Sequence, residues 1–160
     1  MKLKDGRFFF IMINFVILQG CILPEAELKN TDNKLISYIN NFNEQERVWA
    51  KSISTSNKNQ AYTAVDSMHL ILESLKQEDL ERIHKKDSVY GASLENTFRM
   101  FEYVLDSIYP ACTKIAFLND KNYTFAEEKQ LLSKIKRADS IMQHHRRKIQ
   151  RNREIFRKSF

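Results

Sequence analysis

Glycine, proline and cysteine are scarce in this chain of 160 residues, which has three glycines, two prolines and two cysteines. Phosphate-cradling loops, nucleophile elbows and dinucleotide-binding turns all need closely spaced glycines. Beyond residue 20 the sequence has only Gly91, and it has no His-Glu-x-x-His motif. We therefore expect a protein that is not an enzyme and that needs neither a cofactor nor a metal.

The same scarcities favour helices over sheets. Glycine-poor chains of this length that are rich in Lys, Glu, Leu and Ile are usually all-helical. The two cysteines, Cys21 and Cys112, are too few for a disulfide framework of the kind that supports small exported domains. Cys112 lies among regularly spaced apolar residues, which predicts a buried core position. A reactive or intermolecular thiol is the alternative.

The amino-terminal residues have the pattern of an export signal. Lys2, Lys4 and Arg7 precede an apolar run from Phe8 to Leu18 that is interrupted once. Crossing a hydrocarbon core takes about 20 apolar residues, so this shorter run is typical of the apolar region of a signal peptide. We predict that residues 1–20 are a signal peptide and that the chain is exported.

The four residues that end this segment, Leu18-Gln19-Gly20-Cys21, resemble the lipobox of bacterial lipoproteins. The resemblance implies that Cys21 carries a diacylglycerol, that the segment before it is removed, and that the new amino terminus is acylated, typically with palmitate. An ordinary signal peptide, or a short buried helix with a free Cys21, is the alternative. Ile22 is not the Asp that retains some lipoproteins at the inner membrane, so the expected location is the outer membrane, with surface exposure left open.

Positive charge is concentrated at the carboxyl end. The formal net charge is +6, but residues 21–143 hold 16 cations against 18 anions. The last 17 residues hold one anion, Glu154, and seven cations, which are Arg146, Arg147, Lys148, Arg151, Arg153, Arg157 and Lys158. Three interpretations are open: a solvated helix terminus, contact with anionic lipid headgroups, or recognition of a soluble polyanion. Specific nucleic-acid binding is not expected, because aromatic residues in this stretch are limited to Phe156 and Phe160.

Four stripes of apolar residues at alternating four- and three-residue spacing predict four amphipathic helices. The third stripe is the strongest, with seven apolar members, and Pro110 within it should kink the helix. The fourth helix begins at a capping box, Thr124 to Glu127, and is predicted to be the longest, with its apolar stripe weakening after Met142. The residues that we expect in the core are Trp49, Phe98, Phe101, Leu105 and Ile135.

These elements predict an all-α fold: an up-down-up-down four-helix bundle over residues 28–160, joined by a tether of residues 21–27 to the lipid anchor. In an antiparallel bundle with an even number of helices, the last helix ends beside the start of the first. We therefore expect the basic end to overhang toward the membrane by about 10 Å.

Two carboxylate-x-x-His pairs, Asp66 with His69 and Glu81 with His84, are similar to those of di-iron bundles. Both pairs are predicted on the same helix, too far apart to share a metal, so we interpret them as polar residues at the rim. His144 and His145 are adjacent, and about 100° separates them around a helix, which makes them a poor ligand pair.

The combination of lipobox, short tether and helical body resembles the small outer-surface lipoproteins of spirochaetes. This resemblance implies a non-enzymatic lipoprotein that binds a host or envelope ligand. A structural or assembly role facing the periplasm is the alternative. The sequence specifies neither the ligand nor the oligomeric state.

Overall fold

The computed structural model describes residues 25–118 and 123–158 of the chain. The predicted signal peptide and Cys21 lie outside these ranges. Every regular element within them is a helix, and no strand occurs there. The prediction of an all-α fold is therefore confirmed.

The described residues form four helical rods, of which the second and third are subdivided. The second rod is interrupted only at Asp79, whereas the third is continuous through a π-helical turn. In chain order the segments are α1 (Glu25–Ser54), α2 (Lys58–Glu78), α3 (Leu80–Lys86), α4 (Ser88–Tyr103), the π-helical turn (Val104–Ile108), α5 (Tyr109–Ala116) and α6 (Phe125–Arg157). With 33 residues, α6 is the longest of the described helices.

Short polar side chains fix where two of these helices begin. The Asn57 side chain accepts a hydrogen bond from the Gln60 amide at 3.1 Å. The Asp87 carboxylate accepts one from the Tyr90 amide at 2.9 Å. Such contacts satisfy amides at a helix start that have no partner within the helix. Asp87 directly precedes Ser88, the first residue of α4.

The amino-terminal boundary of α1 differs from the prediction. The helix begins at Glu25, directly after Pro24, and not at Leu28. Proline disfavours helix in the residue before it but is well tolerated at a helix start. The last three residues of the predicted tether are consequently helical.

The third apolar stripe is buried along its whole length, as predicted: Leu94, Phe98, Phe101, Leu105, Ile108, Cys112 and Ile115. Aromatic rings of α1 stack on this rod, Phe42 on Phe101 at 5.2 Å and Trp49 on Tyr109 at 4.0 Å between centroids. Trp49 is buried as expected, but Ile135 is only partly buried.

The fourth stripe becomes less apolar after Met142, where it includes His145 and Asn152, but it stays packed against the other helices. His145, Ile149 and Phe156 are all buried, and the Phe156 ring lies 4.9 Å from that of Tyr90. The last turns of α6 therefore pack against the rest of the protein, and the basic end does not overhang as a free extension. The sequence obscures this because arginines and lysines separate the buried residues.

A close approach of α3 to α4 depends on Gly91. A Cβ atom at this position would lie 2.5 Å from Cγ of His84, well inside van der Waals contact. The imidazole of His84 occupies that space, and its Nε2 lies 3.7 Å from the Glu95 carboxylate. A larger residue at position 91 would displace the His84 side chain from this space.

Candidate anion-binding face

The start of α6 is fixed by the predicted capping box, which the structure confirms. The Thr124 hydroxyl accepts a hydrogen bond from the Glu127 amide, and the Glu127 carboxylate accepts one from the Thr124 amide at 3.2 Å. Two amides without helical partners are satisfied reciprocally in this way. The first turn of a long helix that carries six of the seven candidate cations, all but Lys158, is thereby held in place.

The inner face of α6 sets the rotation of the helix. Its buried residues recur at intervals of three, four or seven residues: Leu131, Ala138, Met142, His145, Ile149 and Phe156. Successive residues are about 100° apart around a helix. Burial of this face therefore also fixes the direction in which each of the remaining side chains of α6 points. The seven candidate cations consequently do not share one face.

Arg153 faces α1 and forms a two-pronged ion pair. Its Nε lies 2.6 Å from Oδ1 of Asp32 and its Nη2 lies 2.8 Å from Oδ2. Asp32 is only 3% exposed, and its hydrogen bonds raise the pKa of Arg153. Arg157 approaches the same carboxylate at 3.7 Å. Arg153 and Arg157 therefore serve first to neutralise a buried acid.

Arg146 also faces α1, where it pairs with Glu46. The same carboxylate accepts a hydrogen bond from the Tyr109 hydroxyl at 2.5 Å, and burial together with the charge of Glu46 raises the pKa of Tyr109. Burial raises the pKa of Asp139, and the nearby Glu46 raises it further. The positive charge of Arg146 is thus matched by an acidic, partly buried cluster.

The other candidate cations point away from α1. His144, Arg147, Lys148 and Arg151, together with Ser140 and Asn152, line an open depression along α6, here called the basic groove. In the part of the chain that the structure describes, its arginines and lysine form no ion pair; Arg147 donates only to the carbonyl of Gln143, at 3.4 Å. Their N–H groups are available to an anion, which guanidinium and ammonium groups hydrogen-bond strongly. Lys158 is also exposed.

The two adjacent histidines have different surroundings. His144 is exposed in the basic groove, whereas His145 is buried, with its Nδ1 3.3 Å from the Thr97 hydroxyl oxygen. Burial lowers the pKa of His145, and the nearby His144 and Lys148 lower it further. His145 is therefore held in its neutral form at the edge of a cationic surface.

Sequence reasoning did not identify Asp32 and Glu46 as partners of the carboxyl-terminal arginines. Both occupy positions of the predicted apolar stripe of α1, where burial of an unpaired carboxylate would be energetically unfavourable. A charged residue within an apolar stripe is a signal that an opposite charge faces it from another helix. Here that helix lies about 100 residues or more away in the sequence.

The two predicted carboxylate-x-x-His pairs are not brought together. Each histidine approaches a carboxylate of the third rod: His69 lies 3.3 Å from Asp106, and His84 approaches Glu95. Among the described residues, no group of three or more His, Cys, Asp or Glu side chains could hold a metal ion. The histidines contribute polar contacts at the edge of the helix interface.

Cys112 is a buried free thiol, as the core interpretation predicts. Burial raises its pKa to about 11, which keeps it protonated and unreactive at neutral pH. The other candidate, Cys21, lies outside the described residues.

No protein-family model, curated protein or solved structure matches the chain. None of the helices in residues 25–118 and 123–158 is long and apolar enough to span a membrane.

Proposed function

We propose that the protein is a lipid-anchored, non-enzymatic binding lipoprotein of the bacterial outer envelope. In this proposal residues 1–20 are removed and Cys21 carries the lipid. The observation that carries the proposal is the short distance along the chain between the lipobox and the helical body. Only Ile22, Leu23 and Pro24 separate Cys21 from the start of α1. Three residues span about 10 Å at most, so an acylated Cys21 would hold the body against the bilayer.

We also propose that the four rods form an up-down-up-down bundle. Contacts between neighbouring rods support it, because residue numbers rise along one rod as they fall along the next. Between the second and third rods, Lys76 pairs with Glu102 and His69 with Asp106. Between the third and fourth rods, Ser93 contacts Asn152 and Thr97 contacts His145. A kink near Pro110 belongs to the same proposal. The π-helical turn immediately before it supports the kink, since such turns commonly bend helices.

In this arrangement the basic end of α6 lies at the anchored end of the molecule. The ion pair between Asp32, in the second turn of α1, and Arg153, near the end of α6, supports the placement. The binding surface closest to the bilayer would then be the basic groove. In the proposed binding role the protein would bind a protein or polyanionic ligand on the outside of the cell, whereas in the alternative, periplasmic assembly role it would bind an envelope partner.

Metabolic labelling with palmitate tests the anchor. The wild type and a Cys112→Ala variant should both be labelled, whereas Cys21→Ala should not, because only the first cysteine would be acylated. Cys112→Ala is the matched control, since it removes the other cysteine of the chain. Labelling of Cys21→Ala, or an unlabelled wild type, would refute the lipoprotein assignment.

Protease treatment of intact cells separates the two envelope roles. A surface-displayed protein should be degraded without lysis, because its body is then accessible from the medium. A periplasm-facing protein should be degraded only after the outer membrane is permeabilised. Protection in intact cells would favour the assembly role over the binding of a host ligand.

A further inference from the structure

The basic groove is the central part of a longer cationic surface on α6. Six lysines and arginines and one histidine fall within an arc of about 100° when successive residues are placed about 100° apart. This surface, here called the cationic stripe, consists of Lys129, Arg137, His144, Arg147, Lys148, Arg151 and Lys158. All are exposed except Lys148, which is half-buried. The stripe extends from the second turn of α6 to Lys158, directly after its last residue.

No acidic residue of α6 falls within this arc. Glu127, Glu128 and Asp139 project well outside it, on the core side or the α1 side, and Glu154 lies about 20° beyond one edge. The side chains between the cations are small or uncharged, such as Ser133 and Ser140. The cations of the stripe are therefore spread over about 44 Å, the length of 29 helical steps of about 1.5 Å, with no acidic residue of α6 inside the arc.

Exposed apolar side chains accompany the cations at the carboxyl-terminal end of the stripe. Ile155 lies within the arc and is 62% exposed. Val89, at the start of α4, is 79% exposed. Val89 precedes Tyr90 and Ile155 precedes Phe156 in the chain, and the rings of Tyr90 and Phe156 lie 4.9 Å apart. Cations with exposed apolar side chains among them are typical of surfaces that rest on a bilayer, where lipid phosphates meet the cations and acyl chains meet the apolar groups.

We infer that the cationic stripe is a docking surface for the anionic headgroups of a lipid bilayer. In the docked state the protein lies with α6 along the membrane instead of standing on its anchored end. A soluble polyanion would use the cations but would gain nothing from exposed Ile155 and Val89. The inference rests on the proposed lipid anchor for bringing the stripe to a membrane, but the affinity of the stripe itself can be measured without the anchor.

The experiment uses the chain from residue 21 with Cys21→Ser, which retains every described residue and carries no lipid. Its sedimentation is measured with vesicles of phosphatidylcholine alone and with vesicles that also contain phosphatidylglycerol. We expect binding to the anionic vesicles only, decreasing as salt is added, because near-surface cations supply the attraction.

Two triple variants with the same loss of charge identify the surface. Arg147→Gln with Lys148→Gln and Arg151→Gln should weaken vesicle binding about 100-fold, since each near-surface cation strengthens binding about fivefold. The matched control, Arg47→Gln with Lys51→Gln and Lys58→Gln, removes three exposed cations elsewhere and should bind nearly as the parent does. Melting curves of both variants check that folding is intact. The inference would be overturned if both variants weakened vesicle binding equally, or if neither variant weakened it.

A third variant separates a bilayer from a soluble polyanion. Ile155→Ser leaves the charge unchanged and should weaken vesicle binding several-fold while leaving the binding of dextran sulfate unchanged. Tight binding of dextran sulfate together with absent vesicle binding would overturn the inference in favour of a soluble polyanion. Palmitate labelling is an independent result: an unlabelled wild type would refute the anchor, whereas loss of vesicle binding would refute only the stripe.

Discussion

The two sides of α6 carry the same residue types in opposite surroundings. Phe156, Arg153 and His145 are packed against other helices, whereas Phe125, Arg151 and His144 are exposed. Each inner residue has a partner: an aromatic ring for Phe156, a carboxylate for Arg153 and a hydroxyl for His145. The basic carboxyl-terminal part of α6 therefore has two faces. One packs against other helices and holds α6 in place, and the other faces outward.

The phenylalanine pair should show the largest difference. Phe156 is 1% exposed and Phe125 is 80% exposed. Phe156→Ala should lower the free energy of unfolding by about 3 kcal/mol, because it removes buried apolar surface and leaves a cavity. Phe125→Ala should change it by less than about 0.5 kcal/mol. Urea unfolding of the two variants measures both, and similar values would contradict the division of α6 into two faces.

The arginine pair should show a smaller difference. Arg153→Gln should lower the free energy of unfolding by about 1 to 3 kcal/mol, since it leaves the buried carboxylate of Asp32 without its two-pronged partner. Arg157 can compensate in part, because it already lies 3.7 Å from that carboxylate. Arg151→Gln should leave stability unchanged within about 0.5 kcal/mol.

Chemical denaturation at constant salt measures the effect of each arginine substitution. A double variant, Arg153→Gln with Asp32→Asn, provides the control: it should recover part of the lost stability, because the buried charge is removed with its partner. Equal stability of the two single variants would show that the ion pair with Asp32 contributes nothing.

Local sequence patterns predicted the parts of this fold that depend on local chemistry. The third apolar stripe, the Thr124 capping box and the buried Cys112 follow from the spacing and type of neighbouring residues, and all three are present. The early start of α1 at Glu25 was missed because the stripe, and not Pro24, was used to set the boundary.

The division of the seven cations could not be predicted in the same way. Which face of α6 meets α1 depends on how the helices pack, and the carboxylates Asp32 and Glu46 come from a distant part of the chain. A helical projection of α6 alone places Arg146 and Arg153 together, but it does not show that acids lie opposite them. The π-helical turn before Pro110 was also missed, because no local pattern distinguishes it from a continuous α-helix.

The histidine pair should show the smallest difference, and only as a dependence on pH. Burial lowers the pKa of His145, so the native state binds fewer protons than the unfolded state near the unfolded pKa of about 6.5. The contribution to stability is therefore fully present above that pKa, decreases as pH falls through it, and levels off below the folded-state pKa. His145→Gln should remove this decrease between neutral pH and about pH 5. His144→Gln should retain most of it, because burial of His145 is the first cause of the shift and remains in that variant. Urea midpoints measured across this range distinguish the two, and an unchanged pH profile in His145→Gln would show that the imidazole beside Thr97 is not held neutral by packing.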